Sequence, residues 1–84
     1  MDLDIYAIGG DVPFPGNFVG HCTDPTTAIN LYLLMRFADC TGASLHGHMF
    51  AGDEPYSGDF TLDEVQDILM RVSEAYRAQA ESLN

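Results

Sequence analysis

Carboxylates are the residues of this sequence with the clearest chemical potential. Between positions 53 and 67 stand Asp53, Glu54, Asp59, Asp63, Glu64 and Asp67, with no Lys or Arg among them. On a helix turning about 100° per residue, Asp63, Asp67, Glu74 and Glu81 fall within a stripe about 40° wide, opposite the helix's apolar residues. At about 1.5 Å of rise per residue the stripe is ~27 Å long. Such a row, fed by the acidic loop carrying Asp53, Glu54 and Asp59, can meet the cationic groove of a nucleic-acid-binding protein. The plainer account is that acids suit the solvent side and first turn of any amphipathic helix, where the helix dipole favours them. What favours a functional surface is the absence of lysine from the whole chain, because solubility alone is ordinarily met by interspersed charges of both signs.

Two other sets have metal-binding residue types. Counted as a twelve-residue calcium loop, Asp53 to Glu64 puts Asp53 at position 1, Gly58 at 6 and Glu64 at the bidentate position 12. Pro55 then occupies position 3, where an oxygen ligand is needed, and a capping role already explains Glu64. The second set is His21, Cys22, Cys40, His46 and His48. Zinc needs about four converging ligands, and no C-x-x-C or H-x-x-x-H spacing supplies a pair. Histidines at the surface and buried cysteines acting as small hydrophobes account for this set more simply. No base, orienting group and pocket come together around Cys22, so nucleophilic catalysis is not expected. Gly9-Gly10 is followed by Asp11 and Pro13, which rules out a phosphate-cradling turn into a helix. The expectation is a non-enzyme with no cofactor and no bound metal.

The elements that must position these residues are legible in outline. Residues 2–8 alternate, with Leu3, Ile5 and Ala7 on one face and Asp2, Asp4 and Tyr6 on the other, as in a half-buried strand. After a Gly/Pro-rich loop, residues 17–23 predict a second strand returning beside the first. Asp24-Pro25 predicts the start of a helix running to about Cys40, with Gly42 as a left-handed stop. This helix is apolar nearly all round, from Ala28 to Ala38, so it must be covered on more than one side. A sheet and a second helix would do this, and so would a homodimer through this first helix. Residues 44–51 predict a third strand, weakened by Gly47, with Leu45 and Met49 on one face and His46, His48 and Phe50 on the other. A loop over 52–59 follows. Thr61 and Glu64 form a T-x-x-E capping box, with Phe60 placed to staple onto Val65, so a second helix starts at Leu62. Its apolar residues Leu62, Val65, Ile68, Leu69, Val72, Tyr76, Ala80 and Leu83 keep the spacing of one buried face.

The predicted order is β-β-α-β-α, an α+β domain spanning residues 1–84 with a mainly antiparallel sheet of about three strands. Eighty-four residues allow one core and no second domain. The 46% hydrophobic content implies folding rather than disorder. Thirteen acids against three arginines, Arg36, Arg71 and Arg77, give a formal charge of -10. Nucleic acids and anionic membranes should therefore be repelled, and a natural partner should be basic. Met1 leads straight into Asp2 and Asp4, without a basic segment or an apolar run, so the expected setting is the cytoplasm, with Cys22 and Cys40 reduced.

In overall character (short, lysine-free, highly acidic and without a catalytic signature) the chain resembles the small phage-encoded inhibitors of host defence, among them anti-CRISPR proteins and DNA mimics of restriction systems. The resemblance implies an inhibitor, acting in the host cytoplasm, that occupies the basic nucleic-acid groove of an effector complex and blocks target recognition. On the residues, the surface to do so is Asp53, Glu54, Asp59, Asp63, Asp67, Glu74 and Glu81. The alternatives are a metal-binding or regulatory module using residues 53–64 or the His/Cys set, and a non-catalytic homodimeric adaptor.

Overall fold

The computed structural model describes residues 1–82 and has the α+β architecture expected, with one more strand. The elements are β1 (Asp2–Ile8), a 3-10 turn (Pro15–Asn17), β2 (Phe18–Cys22), α1 (Pro25–Phe37), β3 (Gly42–His48), β4 (Tyr56–Thr61) and α2 (Leu62–Ser82). The four strands form one antiparallel sheet in the order β2-β1-β3-β4. Both helices lie on one face of it, α1 over β2 and α2 over β3 and β4, and they pack against each other. Among the described residues no helix is long and apolar enough to cross a membrane.

The alternation in β1 sets the two-layer arrangement. Leu3, Ile5 and Ala7 are buried beneath the helices with Cys22, Ala43 and Leu45 from the neighbouring strands. From above, Ala28, Tyr32 and Met35 of α1 and Leu62, Val65, Leu69 and Val72 of α2 complete the core. Ile68 and Tyr76 border it, Ala80 is exposed, and Leu83, expected on the same face, lies outside the described residues. The Tyr76 hydroxyl donates to the Met49 carbonyl at 2.7 Å, and its ring stacks on Phe50 at 5.0 Å, tying α2 to the end of β3.

The added strand β4 replaces much of the loop expected over 52–59. It is an edge strand in which Tyr56, Gly58 and Phe60 alternate with Ser57, Asp59 and Thr61, but the glycine at its centre and the turn-forming residues around it give the segment the composition of a loop. The third strand ends at His48 rather than Ala51, and β2 is five residues long. Gly47 does not merely weaken β3. Its φ is 141°, and a Cβ there would lie 2.0 Å from the Asp2 carbonyl oxygen, so the close approach of β1 requires a glycine.

Helix α1 starts as expected. The Thr27 amide donates to Asp24 Oδ1 at 2.8 Å and the Thr27 hydroxyl to Oδ2 at 2.9 Å, with Pro25 in the first turn. Its end differs. The helix stops at Phe37, and Asp39, at φ 59°, takes the left-handed position expected of Gly42. The Cys40 amide donates to the Met35 carbonyl at 3.0 Å and the Asp39 amide to that of Arg36 at 3.2 Å, the paired closure of a Schellman motif. Aspartate is among the few non-glycine residues that tolerate this conformation. Gly42 instead opens β3, where a Cβ would meet the Phe60 carbonyl oxygen at 2.3 Å.

Candidate functional site

Helix α2 carries most of the acidic candidates, and its first turn is fixed by the capping box. The Thr61 amide donates to Glu64 Oε1 at 3.0 Å, and the Glu64 amide donates to the Thr61 hydroxyl at 3.2 Å. Glu64 is thereby committed to structure. One residue earlier, Asp63 is engaged by Arg36, which reaches across from α1. The same guanidinium donates through Nε to the Tyr32 hydroxyl at 2.7 Å, and that hydroxyl donates to Gln66 at 3.1 Å. A segment without a base in the sequence thus gains one from the fold, and Asp63 is partly neutralised.

Asp67, Glu74 and Glu81 remain as an exposed line on the outer side of α2. Among the described residues, the one pairing of a guanidinium with a carboxylate is Arg36 with Asp63, so these three meet no such partner. By helical angle the exposed Met70 borders the line, about 20° from its edge, while Arg71 and Arg77 flank it, each about 40° from an edge. From Arg77 to Ser82 every residue is exposed, so the last turns carry Glu81 beyond the core.

The remaining candidates divide. Asp53 and Glu54 lie in the loop joining β3 to β4, beside a cavity of about 360 Å³ that Phe50, Ile68 and Arg71 also line. The loop is held by the His48 ring, whose Nδ1 donates to the Asp53 carbonyl at 3.0 Å. Asp59 does not join this group. It stands in β4 directly opposite Ser44, on the sheet face away from both helices. The seven acids expected to form one surface therefore lie on two sides of the molecule, because strand alternation turns Asp59 away from α2.

No family model, no curated protein and no solved structure matches the chain.

The metal readings lose their basis. Residues 56–61 are a strand, so Asp53 to Glu64 is no calcium loop, and the Glu64 carboxylate already accepts from the Thr61 amide. The His/Cys set is split by the sheet: Cys22 is in the core, while His21, His46 and His48 are on the open face. Among the described residues no three His, Cys, Asp or Glu side chains converge as a metal would require. Both cysteines are free and buried. Burial, with Asp24 and Asp4 nearby, pushes the Cys22 thiol up to about 11, and burial beside Asp39 also raises Cys40. Neither is a thiolate at neutral pH.

The open sheet face is a feature that sequence reasoning divided among separate strands. His21 sits between two carboxylates, Nδ1 at 2.8 Å from Asp4 and Nε2 at 3.0 Å from Asp2. His46 sits between two hydroxyls, Nε2 at 2.7 Å from Ser44 and Nδ1 at 3.3 Å from Ser57. Tyr6 joins them, with its ring edge-on to His46 at 5.7 Å and tilted against Phe18 at 5.2 Å. The shared face of His46 and His48 and the alternation of residues 2–8 were the available signals. The pairing of Asp4 with both His21 and His46 is a matter of register.

Proposed function

We infer that this chain is a non-catalytic protein-binding inhibitor that occupies a basic nucleic-acid-binding surface of a partner, in the manner of phage-encoded anti-CRISPR proteins and DNA mimics. The observation that supports this reading is the line of Asp67, Glu74 and Glu81 along α2, exposed and without a cationic partner among the described residues. Three charges over ~21 Å of helix are far sparser than duplex phosphates, which present about one charge per 1.7 Å of axis. The line is therefore a set of contact points. Attraction over longer range comes from the formal charge of -10 on the whole chain, which no lysine offsets. Asp53 and Glu54 extend the contact from the loop beside Arg71, and Asp63 contributes less because Arg36 holds it. Asp59, on the other side of the sheet, belongs to the general field and not to the contact.

The test is a combined Asp67→Lys, Glu74→Lys and Glu81→Lys variant, shown by circular dichroism to be folded. Immobilised wild-type chain is expected to retain basic nucleic-acid-binding protein from a lysate and to release it to competing DNA or to moderate salt. The triple variant is expected to retain none. Equal retention by the triple variant, resistant to DNA, would remove the reading.

A further inference from the structure

We propose that this chain forms a two-fold symmetric dimer through the outer face of α1, with Phe37 of each copy seated in a groove of the other. Helix α1 buries Ala28, Tyr32 and Met35, and turning it by half a circle brings up Leu33, Leu34 and Phe37. These are not partly shielded residues at a margin. Phe37 is 94% exposed, Leu33 54% and Leu34 42%, all within the last turns of a helix whose opposite side is fully packed. The structure supplies one covering layer for a helix that is apolar nearly all round, and leaves the second side open.

Beside Phe37 lies a groove of about 500 Å³ between the end of α1 and the loop after β1, lined by Val12, Pro13, Phe14, Leu34 and Phe37 itself. Phe14 is 40% exposed there. A projecting aromatic ring and an apolar groove next to each other on one patch are the two halves of a self-complementary contact. Under a two-fold axis each Phe37 leaves its own rim and enters the other copy's groove, and the contact closes at two copies.

The area agrees with a second copy as the occupant. The exposed parts of Leu33, Leu34, Phe37 and Phe14 amount to roughly 500 Å² at the usual side-chain areas. A stable interface takes about 800 Å² per partner, and in homodimers about two-thirds of it is apolar. The patch supplies that apolar share. Its rim carries Asp11 and Asp39, so two copies bring like charges near each other. Salt screens that repulsion without weakening the apolar contact, so dimerisation should strengthen with salt. Binding to a basic partner through α2 should weaken with salt, so the two surfaces are separable by experiment.

Sedimentation equilibrium on the full chain tests this at protein concentrations up to about 1 mM, where even weak association is visible. The expected species has twice the 9.2 kDa chain mass, with a dissociation constant that falls as NaCl rises from about 0.05 to about 0.5 M. Phe37→Asp and Leu34→Glu should each raise that constant about 30-fold or more, as loss of a central anchor does. Both side chains are exposed, so an unchanged circular dichroism spectrum is expected to accompany the loss. The Asp67→Lys, Glu74→Lys, Glu81→Lys variant should still dimerise, and no more weakly than the wild type, because its lower negative charge eases repulsion between copies. A wild-type chain that stays monomeric at the highest concentration overturns the proposal, and so does assembly beyond two copies. Dimers unaffected by both α1 substitutions overturn it as well, because they place the interface elsewhere.

Discussion

Single residues decide how each helix begins, and their contributions can be measured separately. Thr61 and Glu64 satisfy each other's backbone amides at the start of α2. Thr61→Ala is expected to cost about 1 kcal/mol, the usual loss for a hydroxyl cap, read as a lower midpoint in urea denaturation with an unchanged slope. At the start of α1, hydrogen bonds from the Thr27 amide and hydroxyl hold the Asp24 carboxyl below its ordinary value of 3.8. On acidification the unfolded chain therefore takes up this proton first. The stabilisation is complete above the unfolded value and is lost as pH falls through the folded one. Wild type should lose more stability than Asp24→Asn over that acidic window, and equal losses in a pH series of denaturation curves would contradict it. At Cys22 the raised thiol value and full burial predict that the native chain resists an alkylating reagent at neutral pH and reacts once denatured.

The elements were legible in proportion to how local their signals are. Asp24-Pro25 and Thr61-Leu-Asp-Glu64 act within one turn of chain, and both helices begin where these residues place them. The end of α1 departs from the expectation because a glycine is the commoner left-handed residue, yet here Asp39 fills that position and Gly42 is consumed by the approach of Phe60. Strand β4 is hidden in the sequence because Gly58 interrupts the alternation of Tyr56 and Phe60 with Ser57, Asp59 and Thr61, the segment has the composition of a loop, and pairing with β3 holds it extended. Close approach between strands also governs Gly47. Gly47→Ala would press a Cβ into the Asp2 carbonyl and force β1 away from β3. A loss of about 3 kcal/mol, at the upper end for overpacking, is expected in thermal or urea unfolding. A cost below about 0.5 kcal/mol, the range of an ordinary surface substitution, would show that the strands are not held this close.

Across the whole molecule, charge opposes folding while burial drives it. Thirteen carboxylates against three guanidiniums crowd a chain of 84 residues, and among the described residues Arg36 with Asp63 is the one pairing between the two kinds. Added salt screens the self-repulsion of the folded state, so the melting temperature should rise between about 0.01 and about 0.5 M NaCl. A flat or falling melting temperature would mean that the carboxylates are too far apart, or too well solvated, to repel. The charge is also shared between two sides. Asp67, Glu74 and Glu81 point outward from α2, whereas Asp2, Asp4 and Asp59 stand on the open sheet face around His21 and His46.

The sequence by itself determined the class of fold, both helix starts, the buried stripe of α2 as far as Tyr76 and the acidic excess of the chain. Each of these follows from residues a few positions apart or from composition, which do not depend on what lies across the sheet. Only the tertiary structure decided which carboxylates keep company. It gave Asp63 to Arg36, turned Asp59 away from the other candidates, separated Cys22 from the histidines and left Phe37 uncovered beside a groove. Those outcomes depend on strand register and on the side of the sheet each helix occupies, and contacts between distant residues are set by packing rather than by spacing along the chain.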